Sequence, residues 1–213
     1  MIRPKPLKKG DTIGIIGTCS PPKKERIDPA IKWIKSLGLE VVIGRSVNKN
    51  HGYLCGEDKV RADDLNYMFH NKDIKGIFIV RGGYGAARIL NMIDYDNIKK
   101  NPKILAGYSD VTALHIAINQ KCKMITFHTP MPCTEFYTDI DDYTVESFKD
   151  SIFKINYTKK VVNPDKCKSF EGLVKGNACG RITGGNLSII ASLMGTPYEI
   201  NTKNKILSLE DID

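Results

Sequence analysis

Short apolar runs separated by helix-length stretches recur along the first two-thirds of the chain, and this alternation constrains the fold more than any other feature. Residues 11–17 (DTIGIIG), 40–44 (EVVIG), 76–80 (GIFIV), 104–107 and 124–127 each read as a short buried strand. Helical patterns lie between them. Asp28-Pro29 supplies a cap and a first helical residue, Ile27, Ile31, Ile34 and Leu37 mark one face, and Gly38 ends that helix. Val60, Leu65, Met68 and Phe69 mark a second helix, Ile89, Leu90 and Ile93 a third, and residues 110–119 a fourth. Crossovers of that length imply a parallel sheet covered on both faces, with ligands at the carboxyl ends of its strands.

The first 155 residues are therefore expected to form an α/β domain with a parallel sheet of the Rossmann or flavodoxin-like kind, closed by a helix over 143–153. The character then changes. A polar stretch with Asn163-Pro164-Asp165 reads as a linker over 156–168. Beyond it come Gly172, Gly176, Gly180, Gly184 and Gly185, an apolar helix over 187–193, and a terminal strand from Ile206 onward. The span 169–213 is too short to stand alone comfortably, so the expectation is the beginning of a smaller, incomplete C-terminal domain.

Composition narrows the partners. The 32 Lys and Arg exceed the 24 Asp and Glu, a formal charge of +8. The cations are scattered and no basic stripe interleaves with aromatics, so the surplus reads as a solvated surface rather than a nucleic-acid site. The six cysteines contain no C-x-x-C pair, which argues against a zinc site or a disulfide scaffold. No stretch approaches the roughly 20 apolar residues of a membrane span, and the N-terminus lacks a signal-type apolar run. The expected location is the cytoplasm, with no membrane partner, no metal and no cofactor.

Two loops carry chemistry. Gly107-Tyr108-Ser109-Asp110 lies where a strand turns into a helix. A serine there either caps the helix or presents a nucleophilic hydroxyl above the sheet edge. The G-x-S-x-G pattern is partly met, since Val111 replaces the second glycine. Arg81-Gly82-Gly83-Tyr84-Gly85 also follows a strand. Its glycines either make a tight turn or bring backbone amides close to an oxyanion or phosphate. The G-x-G-x-x-G fingerprint fails there at Arg88, which argues against a nucleotide-binding domain. Asp139, Asp141 and Asp142 read as a charged first helical turn, and Cys133 as a free thiol.

These loops, residues 102–114, Gly184-Gly185-Asn186-Leu187-Ser188, Gly195-Thr196-Pro197-Tyr198 and Leu209-Glu210-Asp211-Ile212 occur in an order that resembles the muramoyltetrapeptide LD-carboxypeptidase family of serine peptidases. The opening Gly10-Asp11-Thr12-Ile13-Gly14-Ile15 is similar too. The resemblance runs from about residue 7 to the end. It implies hydrolysis of an L,D bond that releases the terminal D-amino acid of a murein tetrapeptide, as in peptidoglycan recycling. Relatives in the family cleave peptide-nucleotide antibiotics and confer self-immunity.

Carried over by motif, Ser109 is the nucleophile and Glu210 the acid that orients the general base. The backbone amides of Gly83 and Asp110 form the oxyanion hole. Arg81, Tyr84 and His128 are candidate substrate-binding residues. The family's base histidine lies in a Gly-His motif several dozen residues past the glutamate, whereas this sequence runs three residues past Glu210. The triad is thus expected to be two-thirds present. His51, His70, His115 and His128 do not occupy that motif, and His115, six residues beyond Ser109, should not meet its hydroxyl. A non-catalytic peptide-binding remnant is the alternative from another class. Relatives commonly pair, which makes a homodimer the expected assembly of the full-length form.

Overall fold

The computed structural model describes residues 1–154, 163–164 and 172–212. Five parallel strands form the first sheet: β1 (Thr12–Ile16), β2 (Glu40–Ile43), β3 (Ile74–Ile79), β4 (Ile104–Gly107) and β5 (Phe127–His128). Their order is β2-β1-β3-β4-β5, with all neighbours parallel. The chain passes from β1 to β2 on one side, then crosses back to β3 on the other side of β1 and continues outward through β4 and β5. The order reverses between β1 and β3, and their following loops open a crevice at the carboxyl edge.

Strand alternation sends side chains to two separate cores. Ile77, Ile79 and Leu105 pack beneath α2 (Asp58–His70) and, after α3 (Tyr95–Lys100), beneath α4 (Thr112–Cys122). Ile13, Ile15, Phe78, Val80, Ile104 and Ala106 pack on the opposite face with α1 (Ile27–Ser36) and α5 (Asp142–Lys149). There Trp33 stacks on Phe136 at 3.9 Å, and the Phe148 ring sits 4.5 Å from Phe136. Each such buried aliphatic or aromatic side chain contributes roughly 1.5–3 kcal/mol, so the two cores dominate stability. Gly14 lies under α2, where a Cβ would come within 2.5 Å of Met68 Sδ.

Several local expectations are corrected. The first helix starts at Ile27 behind a 3₁₀ turn (Lys24–Arg26), so its N-cap is Arg26 and Asp28 lies inside the first turn. The segment through Ile89 and Leu90 is a 3₁₀ helix (Ala86–Met92), and the α-helix begins only after Ile93 and Asp94, whose carboxylate caps it. The fifth strand shrinks to Phe127–His128, while Met124 forms an isolated bridge to Ile2. The helix expected over 143–153 ends at Lys149 and continues as a π turn, Asp150–Lys154. The linker expected over 156–168 lies outside the described residues except for 163–164.

A second sheet pairs β6 (Arg181–Asn186) with β7 (Lys205–Glu210) in parallel, with α6 (Leu187–Ser192) between them. The glycine-rich β6 carried no strand pattern in the sequence. Ile190, Leu193, Tyr198 and Ile200 join the first core beside α4, so this unit packs against the same core as the first sheet. Among the described residues no helix is long and apolar enough to cross a membrane.

Candidate active site

The junction after β4 is unusual at the backbone. Gly107 has φ of +157° with Val111 packed against it, and Tyr108 is extended. Ser109 then takes φ of +63°, a left-handed conformation that costs a non-glycine residue on the order of 1–2 kcal/mol. The 3₁₀ turn Ser109–Val111 has Tyr108 at its N-cap, and α4 has Val111, with no side-chain cap at either. The Ser109 hydroxyl therefore does not cap the helix, and among the described residues it makes no hydrogen bond. A strained serine on a strand-to-helix turn with an uncommitted hydroxyl is the geometry of a nucleophile elbow.

The glycine loop lies directly against it. A Cβ on Gly82 would sit 3.0 Å from Ser109 Oγ, so only glycine lets the loop backbone approach the hydroxyl this closely. Asp110 joins the two loops: its buried carboxylate accepts the Ala86 N–H at 2.8 Å. Burial raises the Asp110 pKa, and the hydrogen bonds from Ala86 and the Cys19 thiol oppose that rise. Behind the loop, the buried Arg61 guanidinium donates to Gly85 O at 2.8 Å and to Thr18 O, and pairs with Asp58. Asp58 also grips Arg88 through two bonds of 3.0 and 2.8 Å, and Arg88 is the main reason its carboxyl titrates low.

Sequence reasoning missed Ser20, on the loop after β1. Its N–H donates to Gly82 O at 3.3 Å and its hydroxyl accepts the Tyr84 N–H at 3.1 Å. A lone serine in a Ser-Pro-Pro stretch carries no signal of this role, because the contact spans 64 residues. Arg81 donates to Pro21 O at 3.3 Å, and Tyr84 stays 52% exposed with its ring edge-on to Tyr53 at 5.4 Å.

A second group gathers at the end of β5 and β7. Gly107 pairs with His128 in register, and the His128 ring lies 5.7 Å from Tyr108. Loss of solvent lowers the His128 pKa while the Glu210 carboxylate opposes it, which places these two side chains as electrostatic neighbours. Tyr108 donates to Glu135 Oε1 at 2.7 Å, and Glu135 Oε2 accepts the Met131 N–H at 2.7 Å. Glu135 is another residue the sequence did not single out. Glu210 Oε1 is buried and has no hydrogen-bond partner among the described residues. It lines a cavity of about 1100 Å³ together with His128, His115, Gly184, Gly185 and Ser208.

His115 is not available for chemistry at Ser109. Its Nε2 lies 2.8 Å from Gly107 O and donates to that carbonyl, and burial lowers its pKa to about 4. The Asp139–Asp142 run is capping chemistry, since Asp141 accepts the Thr144 N–H at 2.9 Å at the start of α5. The position of Glu210 is set by β6. Asn186 pairs with Glu210 in register, its N–H donates to Thr112 Oγ1 at 3.0 Å, and its side chain caps α6. Gly185 has φ of +131°, and a Cβ there would strike Thr112.

The structure thus assembles Ser109, the 81–85 loop and Asp110 in one cluster, and Tyr108, His128 and Glu210 in another beside it. No described hydrogen bond joins Ser109 to Glu210.

Comparison with known proteins shows what this sequence and fold are similar to. The model of the LD-carboxypeptidase N-terminal domain matches residues 13–129, and that of the LD-carboxypeptidase C-terminal domain matches residues 179–213. A probable murein peptide carboxypeptidase of Bacillus subtilis (strain 168) is 41% identical over 212 residues, spanning 99% of this chain and 65% of the relative. The microcin C7 self-immunity protein MccF of Escherichia coli is 32% identical, over 97% of this chain and 68% of its own length. An MccF-like protein from Bacillus anthracis str. Ames superposes with a TM-score of 0.88 at 29% identity, covering 99% of this chain and 70% of that structure. The chain therefore spans about two-thirds of the length of these relatives.

Proposed function

The chain belongs to the LD-carboxypeptidase family, and from that premise we propose that it carries the nucleophile and the orienting acid of a serine carboxypeptidase acting on L,D peptide bonds. One observation carries the reading: Ser109 is held in a strained left-handed conformation with its hydroxyl uncommitted, against a glycine loop. Ser109 Oγ attacks the scissile carbonyl, and the Gly83 and Asp110 N–H groups receive the developing oxyanion. Glu210 holds the imidazole of the general base through its unpartnered Oε1, fixing the tautomer that takes the serine proton. The family resemblance puts that histidine in a Gly-His motif beyond Glu210. His115 cannot serve, because its Nε2 is committed to Gly107 O.

The proposed substrate is a murein tetrapeptide that loses its terminal D-amino acid. The name of the Bacillus subtilis relative supports it. Arg81, Tyr84 and His128 are its proposed contacts, the cytoplasm its proposed place, and a homodimer the proposed assembly of the full-length form. The proposed division is an α/β domain over 1–155 and a second domain beginning at 169. Cleavage of a peptide-nucleotide antibiotic is a second reading, supported by the self-immunity relative. A binding protein without turnover is a third, and the lone Glu210 Oε1 favours it where no histidine reaches that oxygen.

The test is release of D-alanine from murein tetrapeptide by a form that extends to the base histidine, read by chromatography, together with mass-spectrometric mapping of a fluorophosphonate adduct. Turnover with the adduct on Ser109 is expected. An adduct elsewhere, or turnover that survives Ser109→Ala, removes Ser109 from the mechanism. Affinity without turnover selects the binding reading.

A further inference from the structure

We propose that Ser20 is a positioning residue for the oxyanion hole, holding the peptide unit between Gly82 and Gly83 so that the Gly83 N–H faces the Ser109 side of the crevice. This rests on the reading of Ser109 and Gly83 given above. Gly82 C=O and Gly83 N–H belong to one planar trans unit and point in opposite directions. Ser20 N–H holds the carbonyl end at 3.3 Å, which turns the amide end away from Ser20. The Ser20 hydroxyl then accepts the Tyr84 N–H at 3.1 Å and fixes the next unit as well. Gly83 lies between the two bonds with φ of +118°, and a Cβ there would overlap the Ser20 side chain. Its own N–H enters no hydrogen bond among the described residues.

The bracket itself is rigid. Cys55 N–H donates to Cys19 O at 2.9 Å, the Cys55 thiol donates to Ser20 O at 3.0 Å, and Arg61 and Arg81 hold Thr18 O and Pro21 O. These ties matter because glycine peptides rotate freely, and an N–H acts on an oxyanion only if it is aimed before the charge develops. The topology makes the contact possible: β1 and β3 are neighbours, Ile16 pairs with Ile79, and the loops that follow meet above them.

The experiment compares wild type, Ser20→Ala and Ser20→Thr, each in a form that extends to the base histidine, in steady-state hydrolysis of the murein tetrapeptide and in amide hydrogen exchange by NMR. Ser20→Ala keeps the backbone bond to Gly82 and loses only the hydroxyl. Since outright removal of an oxyanion donor costs about 10²–10³ in kcat, loosening one should lower kcat on the order of tenfold. KM should stay within about twofold, and Ser20→Thr should restore most of the turnover. Tyr84 amide exchange should rise at least about tenfold in Ser20→Ala with the melting temperature little changed. Wild-type kcat in Ser20→Ala, or a loss confined to KM, overturns the proposal. If wild type releases no D-amino acid, the reading of function falls instead. The exchange measurement still judges the bracket then, and an unchanged Tyr84 amide refutes it.

Discussion

The two sheets of this protein solve the same problem with opposite success. Strands β1, β3 and β4 are parallel, covered on both faces and nearly sealed from water. Strands β6 and β7 are also parallel, yet Ile182 is 72% exposed, and Leu207 and Leu209 lie open as well. Parallel pairs are rarely stable alone, because their backbone bonds are strong only when side chains bury both faces. The second sheet is instead moored through Gly185 and Asn186 on Thr112 and through α6 and Tyr198 on the α4 side of the core. The candidate nucleophile and oxyanion donors thus stand on the rigid part, and Glu210 on the moored part.

The comparison can be broken from either side. In a form that extends to the base histidine, Ser109→Ala should give the largest effect, a loss of turnover on the order of 10⁴–10⁶ with the melting temperature nearly unchanged, since alanine removes only an uncommitted hydroxyl. Glu210→Gln should follow, lowering kcat by about 10³–10⁴ while leaving the β1–β5 core intact by calorimetry. A mild effect would mean that another group orients the base.

Stability should then separate the sheets. Phe148→Ala should destabilise the protein by about 3–5 kcal/mol in denaturant titration, because a fully enclosed ring leaves a cavity. Ile182→Ser should stay within about 0.5 kcal/mol, as expected of an exposed position. Equal effects would mean that β6 is covered in solution.

A smaller, pH-dependent effect belongs to His115. Its folded pKa of about 4 lies below the ordinary value near 6.5, so between those pH values the unfolded chain binds more protons. Stability should therefore be full above pH 6.5 and fall as the pH drops toward 4, by about 3 kcal/mol at most. His115→Gln should flatten that slope in urea titrations at pH 4.5 and 7. The smallest effect concerns association: the open apolar side chains of β6 and β7 should promote self-association of this 213-residue chain. Sedimentation velocity should show it, reduced in Ile182→Ser with Leu207→Ser.

The sheet was legible in the sequence because each buried strand is a dense apolar run and each crossover carries a helical face. Element ends were less so. Residues 86–92 have helical periodicity, but the segment winds as 3₁₀. β6 was invisible because Gly184 and Gly185 have no side chains to alternate. A Cβ on Gly184 would run into the Ser208 backbone of β7, and one on Gly185 into Thr112. Ser109, Gly83, Asp110 and Glu210 came from motif order, whereas Ser20, Arg61 and Glu135 looked like ordinary surface residues.

Local chemistry along the chain determined the parallel α/β class, the strand-to-helix turn that holds Ser109 and the glycine loop, because period and glycine placement act over a few residues. Tertiary structure alone decided what those pieces touch. The loops after β1 and β3 meet because the strand order reverses between them, so Ser20 reaches Gly82 and Tyr84 across more than 60 residues of chain. His115 became a buried donor to Gly107 O, and Glu210 was left with an oxygen unpartnered among the described residues, beside His128. Such outcomes depend on hydrogen bonds and desolvation between distant segments, and no local pattern encodes them.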